Sequence, residues 1–194
     1  MNETRRILCL GDSNTWGFDP RSYGGDRYPP EIRWTDRLEA SGRAVVNAGL
    51  NGRAIPRPGE YPDIASLFRR HAPLGAAIVM LGTNDLLEGA DAAETAARME
   101  AFLTFLTRSP GIPPLLLVAP PPLEPGEWVQ SPALVRASEK LGPAFRALAE
   151  RLGIRFADAG GWGIALSFDG VHFTPEGHTA FARKLGPALE KAGL

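Results

Sequence analysis

The sequence lacks several features that mark other classes of protein. Its 194 residues include one cysteine, so no internal disulfide can form, which fits a reducing compartment. No apolar run approaches the roughly 20 residues that span a bilayer, and the run before Gly11 is shorter than the about 7–15 residues of a signal-peptide core. With 21 basic and 22 acidic side chains, no excess charge is available to hold nucleic acid or a membrane surface. We therefore expect a cytoplasmic protein with no nucleic-acid partner and no membrane span.

Short apolar runs alternate with helical patterns along the whole chain. This alternation is typical of α/β proteins in which helices cover both faces of a parallel sheet. It predicts one domain over residues 1–194: a three-layer α/β/α sandwich with a five-stranded parallel sheet in flavodoxin-like order. Helices are expected near 31–41, 63–71 and 92–107, then as one long helix over about 134–152 and a last one after Thr174. The five runs that predict strands are Ile7–Leu10, Ala44–Ala48, Ala76–Leu81, Leu115–Ala119 and Ile154–Ala157.

A serine follows the first predicted strand in the stretch Gly11-Asp12-Ser13-Asn14. Glycine permits backbone angles that other residues avoid, so we expect a sharp turn at Gly11. Open α/β sheets bind their ligands at the carboxyl ends of the strands, which is where this serine would lie. Ser13 is therefore a candidate nucleophile. On its own the tetrapeptide is more typical of a plain strand-to-helix turn, because such tetrapeptides are common.

A serine hydroxyl needs a base to take its proton, and histidine is the usual base near neutral pH. The chain has three histidines. His71 is expected to be solvated or to cap a helix, and His178 to be exposed on the first turns of the last helix. His172 lies in the loop before that helix, at the edge of the sheet where Ser13 is expected, so His172 is the predicted base.

An acidic side chain is needed to orient the base, and Asp169 precedes His172 by three residues. Asp169-Gly170 is also an ordinary turn pair. Asp158, at the end of the fifth predicted strand, is the alternative orienter. Asp12 is expected to bond the backbone of its own turn, and Asp85 to brace its own loop.

Acyl transfer also needs hydrogen-bond donors aimed at the oxyanion. The candidates are the backbone N–H of Ser13, the backbone N–H of Gly52 and the side-chain amide of Asn84. Each of the three follows a different predicted strand, so they should meet at one edge of the sheet. Each could instead be a plain turn residue.

Four short blocks of the sequence resemble, in order and spacing, the motif blocks of the SGNH hydrolases, also called the GDSL esterase/lipase family. The resemblance implies a flavodoxin-like fold and no metal or other cofactor. It implies a triad of Ser13, Asp169 and His172, with Ser13, Gly52 and Asn84 forming the oxyanion hole. The blocks are Gly11-Asp12-Ser13, Gly52, Gly82-Thr83-Asn84-Asp85 and Asp169-Gly170-Val171-His172.

Within that family the chain is most similar to the bacterial arylesterase/acyltransferase branch, through stretches such as Arg6–Gly17, Ile32–Thr35 and Pro120–Leu123. Some members of that branch assemble into octamers, so a homo-oligomer is a possible partner state. The family's name motif has leucine after the serine, where this chain has Asn14. We expect this difference to change the polarity of the substrate pocket, for which Asn14, Trp16 and Trp128 are the candidate residues.

The sequence therefore predicts a serine esterase that acts on small acetyl or aryl esters through an acyl-enzyme. Two alternatives remain. The same site could remove acetyl groups from sugars or transfer acyl groups to alcohols. The chain could instead be a non-catalytic binding module on a flavodoxin-like scaffold, although neither G-x-x-x-x-G-K-[ST] nor G-x-G-x-x-G follows the first strand.

Overall fold

The computed structural model describes residues 6–22 and 24–194, and its centre is a five-stranded parallel sheet. The strands lie in the order β2-β1-β3-β4-β5, and every neighbouring pair is parallel, which confirms the predicted topology. The central strands are apolar along their length because both faces of the sheet are covered. Their bounds are β1 Arg6–Gly11, β2 Val45–Gly49, β3 Leu74–Met80, β4 Leu115–Ala119 and β5 Arg155–Asp158.

Helices cover both faces of the sheet and produce the predicted three layers. α3, α5 and α7 pack on one face, and α2 and α8 pack on the other. Phe102 and Phe145 fill the first interface, and Trp34 and Phe181 fill the second; all four side chains are fully buried. The bounds are α1 Ser13–Trp16, α2 Trp34–Ala40, α3 Tyr61–His71, α4 Thr83–Leu87, α5 Ala92–Arg108, α6 Pro132–Glu139, α7 Leu141–Leu152 and α8 Pro175–Lys191.

Parallel pairing brings the carboxyl ends of the first three strands to one edge of the sheet. Gly11 at the end of β1 pairs with Gly49 of β2 on one side and with Met80 of β3 on the other. The loops that leave these strands therefore start side by side. Arg53, in the loop after β2, ties that loop to the sheet because its guanidinium donates to the carbonyl oxygen of Gly11 at 3.1 Å.

The long helix expected over about 134–152 is wrong: the chain forms α6 and α7, separated at Lys140. Pro143 explains the break. Its ring has no N–H to donate to the carbonyl of Glu139 and would clash with that carbonyl in a continuous helix. The short helices α1 and α4, directly after β1 and β3, were not predicted. In the described part of the chain, no helix is long and apolar enough to cross a membrane.

Candidate active site

Ser13 is the first residue of α1 and follows β1 by two positions. Asp12 caps this helix, accepting a hydrogen bond from the N–H of Asn14 at 2.9 Å, as the sequence predicted. The prediction that Gly11 adopts unusual backbone angles is wrong, since Gly11 is not among the glycines with positive φ. Glycine is required there for space: a Cβ would lie 2.0 Å from the Thr15 hydroxyl. The tight turn holds the Ser13 side chain at the edge of the sheet.

Ser13, His172 and Asp169 form one continuous chain of hydrogen bonds. The Ser13 Oγ lies 2.9 Å from His172 Nε2, and His172 Nδ1 lies 2.6 Å from Asp169 Oδ2. The contact joins residues 159 positions apart, and all three side chains are buried. With the proton of the neutral imidazole on Nδ1, facing the carboxylate, Nε2 is free to accept the Ser13 proton. The arrangement can therefore raise the nucleophilicity of Ser13.

Asp169 uses its second oxygen to hold the backbone that carries His172. Asp169 Oδ1 accepts hydrogen bonds from the N–H groups of Val171 at 2.9 Å and His172 at 3.0 Å. Burial by itself would raise the pKa of Asp169, but the hydrogen bonds from His172 and Val171 outweigh burial and lower the pKa below its ordinary value. Asp169 is thus ionised near neutral pH and can stabilise a positive charge on His172.

The other acidic candidates lie in different environments. Burial raises the pKa of Asp12 to about 6, against the opposing effects of the Asn14 N–H and of the nearby His172 and Arg53 side chains. Asp158 accepts from the N–H of Gly160 at 2.9 Å and so caps a turn instead of orienting a histidine. Asp85 does not brace its own loop as expected. Its carboxylate accepts from the Ile55 N–H at 2.8 Å and pairs with Arg98 at 3.0 Å.

The three oxyanion candidates follow β1, β2 and β3: Ser13 begins α1, Gly52 lies in the loop after β2, and Asn84 is the second residue of α4. Within the described part of the chain, the N–H groups of Ser13 and Gly52 donate to no other residue. Gly52 has a φ of 71°, a conformation that favours glycine and leaves the approach to its N–H open. The Asn84 amide donates one hydrogen bond to the carbonyl of Arg53 at 3.0 Å, which links the Asn84 loop to the Gly52 loop. Its second N–H remains available for a substrate.

Asn14 was expected to be a pocket residue, and its side-chain amide is bonded to the backbone of the protein. Its side chain is only 5% exposed. The amide bonds the loop that carries His172: Nδ2 donates to the carbonyl of Val171 at 3.1 Å, and Oδ1 accepts from the N–H of Phe173 at 2.9 Å. Both polar atoms of the Asn14 side chain therefore bond the protein backbone.

Aromatic rings flank His172 on the open side of the site. The Trp128 ring lies edge-on to the imidazole with centroids 5.1 Å apart, and the Phe18 ring is tilted against it at 4.6 Å. Trp128 is held there because its backbone N–H donates to the backbone carbonyl of Asp169 at 3.1 Å. Trp16 instead packs under the guanidinium of Arg27 at 5.4 Å. The sequence analysis did not predict Phe18 at this site. Its position two residues after Trp16, in the same loop, was the signal that could have indicated it.

His178 is fully buried, so its expected exposure is wrong. Its Nδ1 accepts from the N–H of Trp34 at 3.4 Å, and the rings of Tyr28 and Phe173 surround the imidazole at 5.3 and 5.4 Å. Burial lowers the pKa of His178 to about 3, with a smaller contribution from nearby positive charges such as Arg37. His178 therefore belongs to the core, and its imidazole is uncharged near neutral pH.

The burial of His178 predicts a loss of stability in acid. Its ordinary pKa of 6.5 applies to the unfolded chain, which binds a proton below that pH while the folded protein does not until about pH 3. Between pH 7.5 and 5 the free energy of unfolding of the wild type should fall by about 2 kcal/mol more than that of His178→Asn. Chemical denaturation of both proteins at each pH measures this. Parallel curves would contradict the assignment.

Among residues 6–22 and 24–194, no group of three or more histidine, cysteine, aspartate or glutamate side chains is arranged to hold a metal ion. Cys9 lies fully buried in β1, and burial raises the pKa of its thiol far above the ordinary value. Cys9 is therefore a core residue and takes no part in the hydrogen bonds around Ser13.

Comparison with known proteins places this geometry in a family. The family model described as "GDSL-like Lipase/Acylhydrolase family" matches residues 9–180, a span that contains all the candidate site residues. A search of curated proteins finds no significant match.

Solved structures of similar chains include esterases from several bacteria. A protein assigned as an arylesterase from Agrobacterium tumefaciens is 34% identical with a TM-score of 0.83, over 96% of this chain and 99% of that one. The aryl esterase of M. smegmatis is 30% identical with a TM-score of 0.84, over 96% and 99%. A carbohydrate acetylesterase family member from Sinorhizobium meliloti is 30% identical with a TM-score of 0.84, over 98% and 100%.

Proposed function

The chain belongs to the GDSL-like lipase/acylhydrolase family and is an ester-hydrolysing enzyme, and from that premise we propose that it is a serine esterase acting on small acyl esters. One observation supports this most: the continuous contacts from Ser13 Oγ to His172 and from His172 to Asp169, at 2.9 and 2.6 Å. Family membership and the esterase relatives also favour the enzyme over the binding-module alternative.

In the proposed reaction Ser13 Oγ attacks the acyl carbon while His172 Nε2 takes its proton. The carbonyl oxygen becomes negative and accepts hydrogen bonds from the N–H of Ser13, the N–H of Gly52 and the amide of Asn84. His172 then gives its proton to the departing alcohol, which leaves an acyl group on Ser13. A water molecule, deprotonated by His172, attacks the acyl carbon, and His172 returns that proton to Ser13 Oγ as the bond between Oγ and the acyl group breaks and the acid leaves. Asp169 stabilises the imidazolium in both halves.

The test of this proposal combines an ester series with covalent labelling. p-Nitrophenyl esters of increasing acyl length should be hydrolysed, the acetate best, and a fluorophosphonate probe should label the enzyme and abolish its activity. Failure of both reactions would overturn the proposal. A rate indifferent to pH between about 5 and 8 would contradict a histidine base.

A second candidate substrate class is an acetylated sugar. A carbohydrate acetylesterase family member is among the similar structures, which favours this class. A cavity of about 510 Å³ that Gly52 lines, although Ser13 and His172 do not, also carries charged side chains that can bond hydroxyl groups, among them Arg57, Glu60 and Asp63. A larger kcat/KM for a peracetylated monosaccharide than for p-nitrophenyl acetate would support this candidate, and the reverse order would favour the aryl ester.

Asn84 gives a separate prediction on the oxyanion. Asn84→Ala should lower kcat by about 10²–10³ while KM changes little, because the amide bonds the charge that develops in the transition state. Asn84→Asp keeps the shape but places a carboxylate beside that charge, so its loss should be larger. Steady-state kinetics with p-nitrophenyl acetate measure both variants. Wild-type kcat in Asn84→Asp would remove Asn84 from the oxyanion hole.

A further inference from the structure

The residue after the nucleophile is bonded to the loop of the base. Asn14 is joined covalently to Ser13, and its side-chain amide reaches the backbone on both sides of His172. It donates to the carbonyl of Val171 and accepts from the N–H of Phe173, partners 157 and 159 positions away in the chain. One amide thus bridges the two loops whose side chains must meet.

The surroundings of Asn14 leave its amide no other use. The backbone carbonyl oxygen of Asn14 accepts from Trp34 Nε1 at 2.9 Å, and Trp34, the first residue of α2, is fully buried in the core that α8 shares. The Asn14 backbone is therefore anchored to Trp34 while its side chain is bonded to the His172 loop. Both backbone groups that it bonds are in buried surroundings, where a lost partner is not replaced readily by water.

We propose that Asn14 is a positioning residue that fixes the distance between Ser13 Oγ and His172 Nε2. Asp169 holds the same loop from the other side, through the N–H groups of Val171 and His172. With Asn14 and Asp169 bonded to it, the peptide backbone from Val171 to Phe173 is held at all three residues. Without Asn14, the loop keeps its attachment to Asp169 but loses its backbone bonds to the Ser13 turn, so that they no longer support the contact between His172 Nε2 and Ser13 Oγ.

This inference rests on the proposed roles of Ser13 and His172, and it concerns the chemical step more than substrate binding. Proton transfer from Ser13 depends steeply on geometry, and a misplacement of about 1 Å can cost on the order of 10² in rate. The bonds of the Asn14 amide are made with the His172 loop. A weakened clamp should therefore lower kcat and leave KM nearly unchanged.

The experiment compares two Asn14 variants with a matched asparagine. Asn14→Ala removes both bonds, and Asn14→Asp keeps the acceptor for Phe173 but not the donor for Val171. Asn47 is the control because its amide also makes several bonds, to the carbonyl of Thr15 at 2.8 Å and to the Thr35 hydroxyl at 2.9 Å, none of them with the His172 loop. Rates are measured in the pH range where they no longer change, so that a shifted histidine titration does not enter.

We expect kcat for p-nitrophenyl acetate to fall roughly 10²-fold in Asn14→Ala and roughly tenfold in Asn14→Asp, with KM within about threefold of wild type. Fluorophosphonate labelling should slow in parallel. Asn47→Ala should lower the Tm by a similar amount yet keep kcat within about threefold. A second readout is the proton NMR signal of His172 Nδ1–H, which a short bond to a carboxylate moves far downfield. It should persist in Asn14→Ala and in Asn47→Ala, because Asp169 still bonds His172, so that a fall in kcat is separated from a loss of the His172–Asp169 bond.

Wild-type kcat in a folded Asn14→Ala, or an equal loss in Asn47→Ala, would overturn the inference. If Asn14→Ala does not fold, Asn14→Asp decides, and an unchanged kcat there has the same consequence. Failure of the proposed function looks different: the wild type itself would neither hydrolyse the ester nor react with the probe. In that case the inference, which rests on that function, falls with it.

Discussion

Ser13→Ala is expected to reduce ester hydrolysis by about 10⁴–10⁶ and to abolish fluorophosphonate labelling, the largest effect of any single substitution in this chain. Without Oγ there is no atom to carry the acyl group, and His172 loses the hydroxyl at 2.9 Å from which it would take a proton. Alanine fits the space left by serine and tolerates the first position of a helix, so the fold should persist.

The control for Ser13→Ala is a serine with similar burial. Ser138 is also buried, and its hydroxyl bonds only backbone groups, accepting from the Leu123 N–H at 2.9 Å and donating to the Val135 carbonyl at 2.7 Å. Ser138→Ala should react with the probe as the wild type does. Retention of activity in Ser13→Ala, measured on protein shown by circular dichroism to be folded, would remove Ser13 from its proposed role.

Asp169→Asn is expected to lower kcat by about 10⁴, the second largest effect. Two backbone N–H groups bond Asp169 Oδ1, so the oxygen of an asparagine must stay at that position. Its NH₂ then faces His172 Nδ1, which can no longer donate and must accept. The imidazole proton moves to Nε2, where it faces Ser13. A histidine in that tautomer cannot take the serine proton, so the geometry survives and the chemistry fails.

Asp158→Asn is the matched control for Asp169→Asn, since Asp158 was the other candidate orienter. Its carboxylate caps a turn at Gly160 and lies 3.9 Å from Arg146. The substitution should leave kcat within about twofold of wild type, whereas Asp169→Asn should be nearly inactive in the same assay. The opposite ranking of the two variants would assign the orienting role to Asp158.

Much of the fold followed from local patterns in the sequence. The five apolar runs were found as strands because doubly covered parallel strands are apolar on both faces, and the rule of right-handed crossovers fixed the edge where their loops meet. The structure confirms the flavodoxin-like strand order that the alternation of strands and helices predicted. Residues such as Ser13, Asn84 and His172 could be grouped from the sequence alone because each follows a strand closely or lies in the last loop.

What the sequence did not yield depends on contacts distant along the chain. The amide of Asn14 could bond water, substrate or backbone, and only the approach of Val171 and Phe173 determines which. His178 lies in a helix whose polar neighbours suggest exposure, yet the aromatic rings that enclose it come from Tyr28 and Phe173. The break between α6 and α7 could have been predicted locally. Pro143 indicates it, but the apolar periodicity, which continues across the break, favoured a single helix.

The proposed mechanism has a covalent intermediate as its central claim, and that intermediate can be observed directly. The enzyme is mixed with p-nitrophenyl acetate, quenched in acid within the first turnover, digested and analysed by mass spectrometry. The account predicts an added acetyl group on the peptide that contains Ser13, localised to Ser13 itself and absent from Ser13→Ala. Full turnover with no acetyl group on Ser13, or with the acetyl group on another side chain, would contradict it.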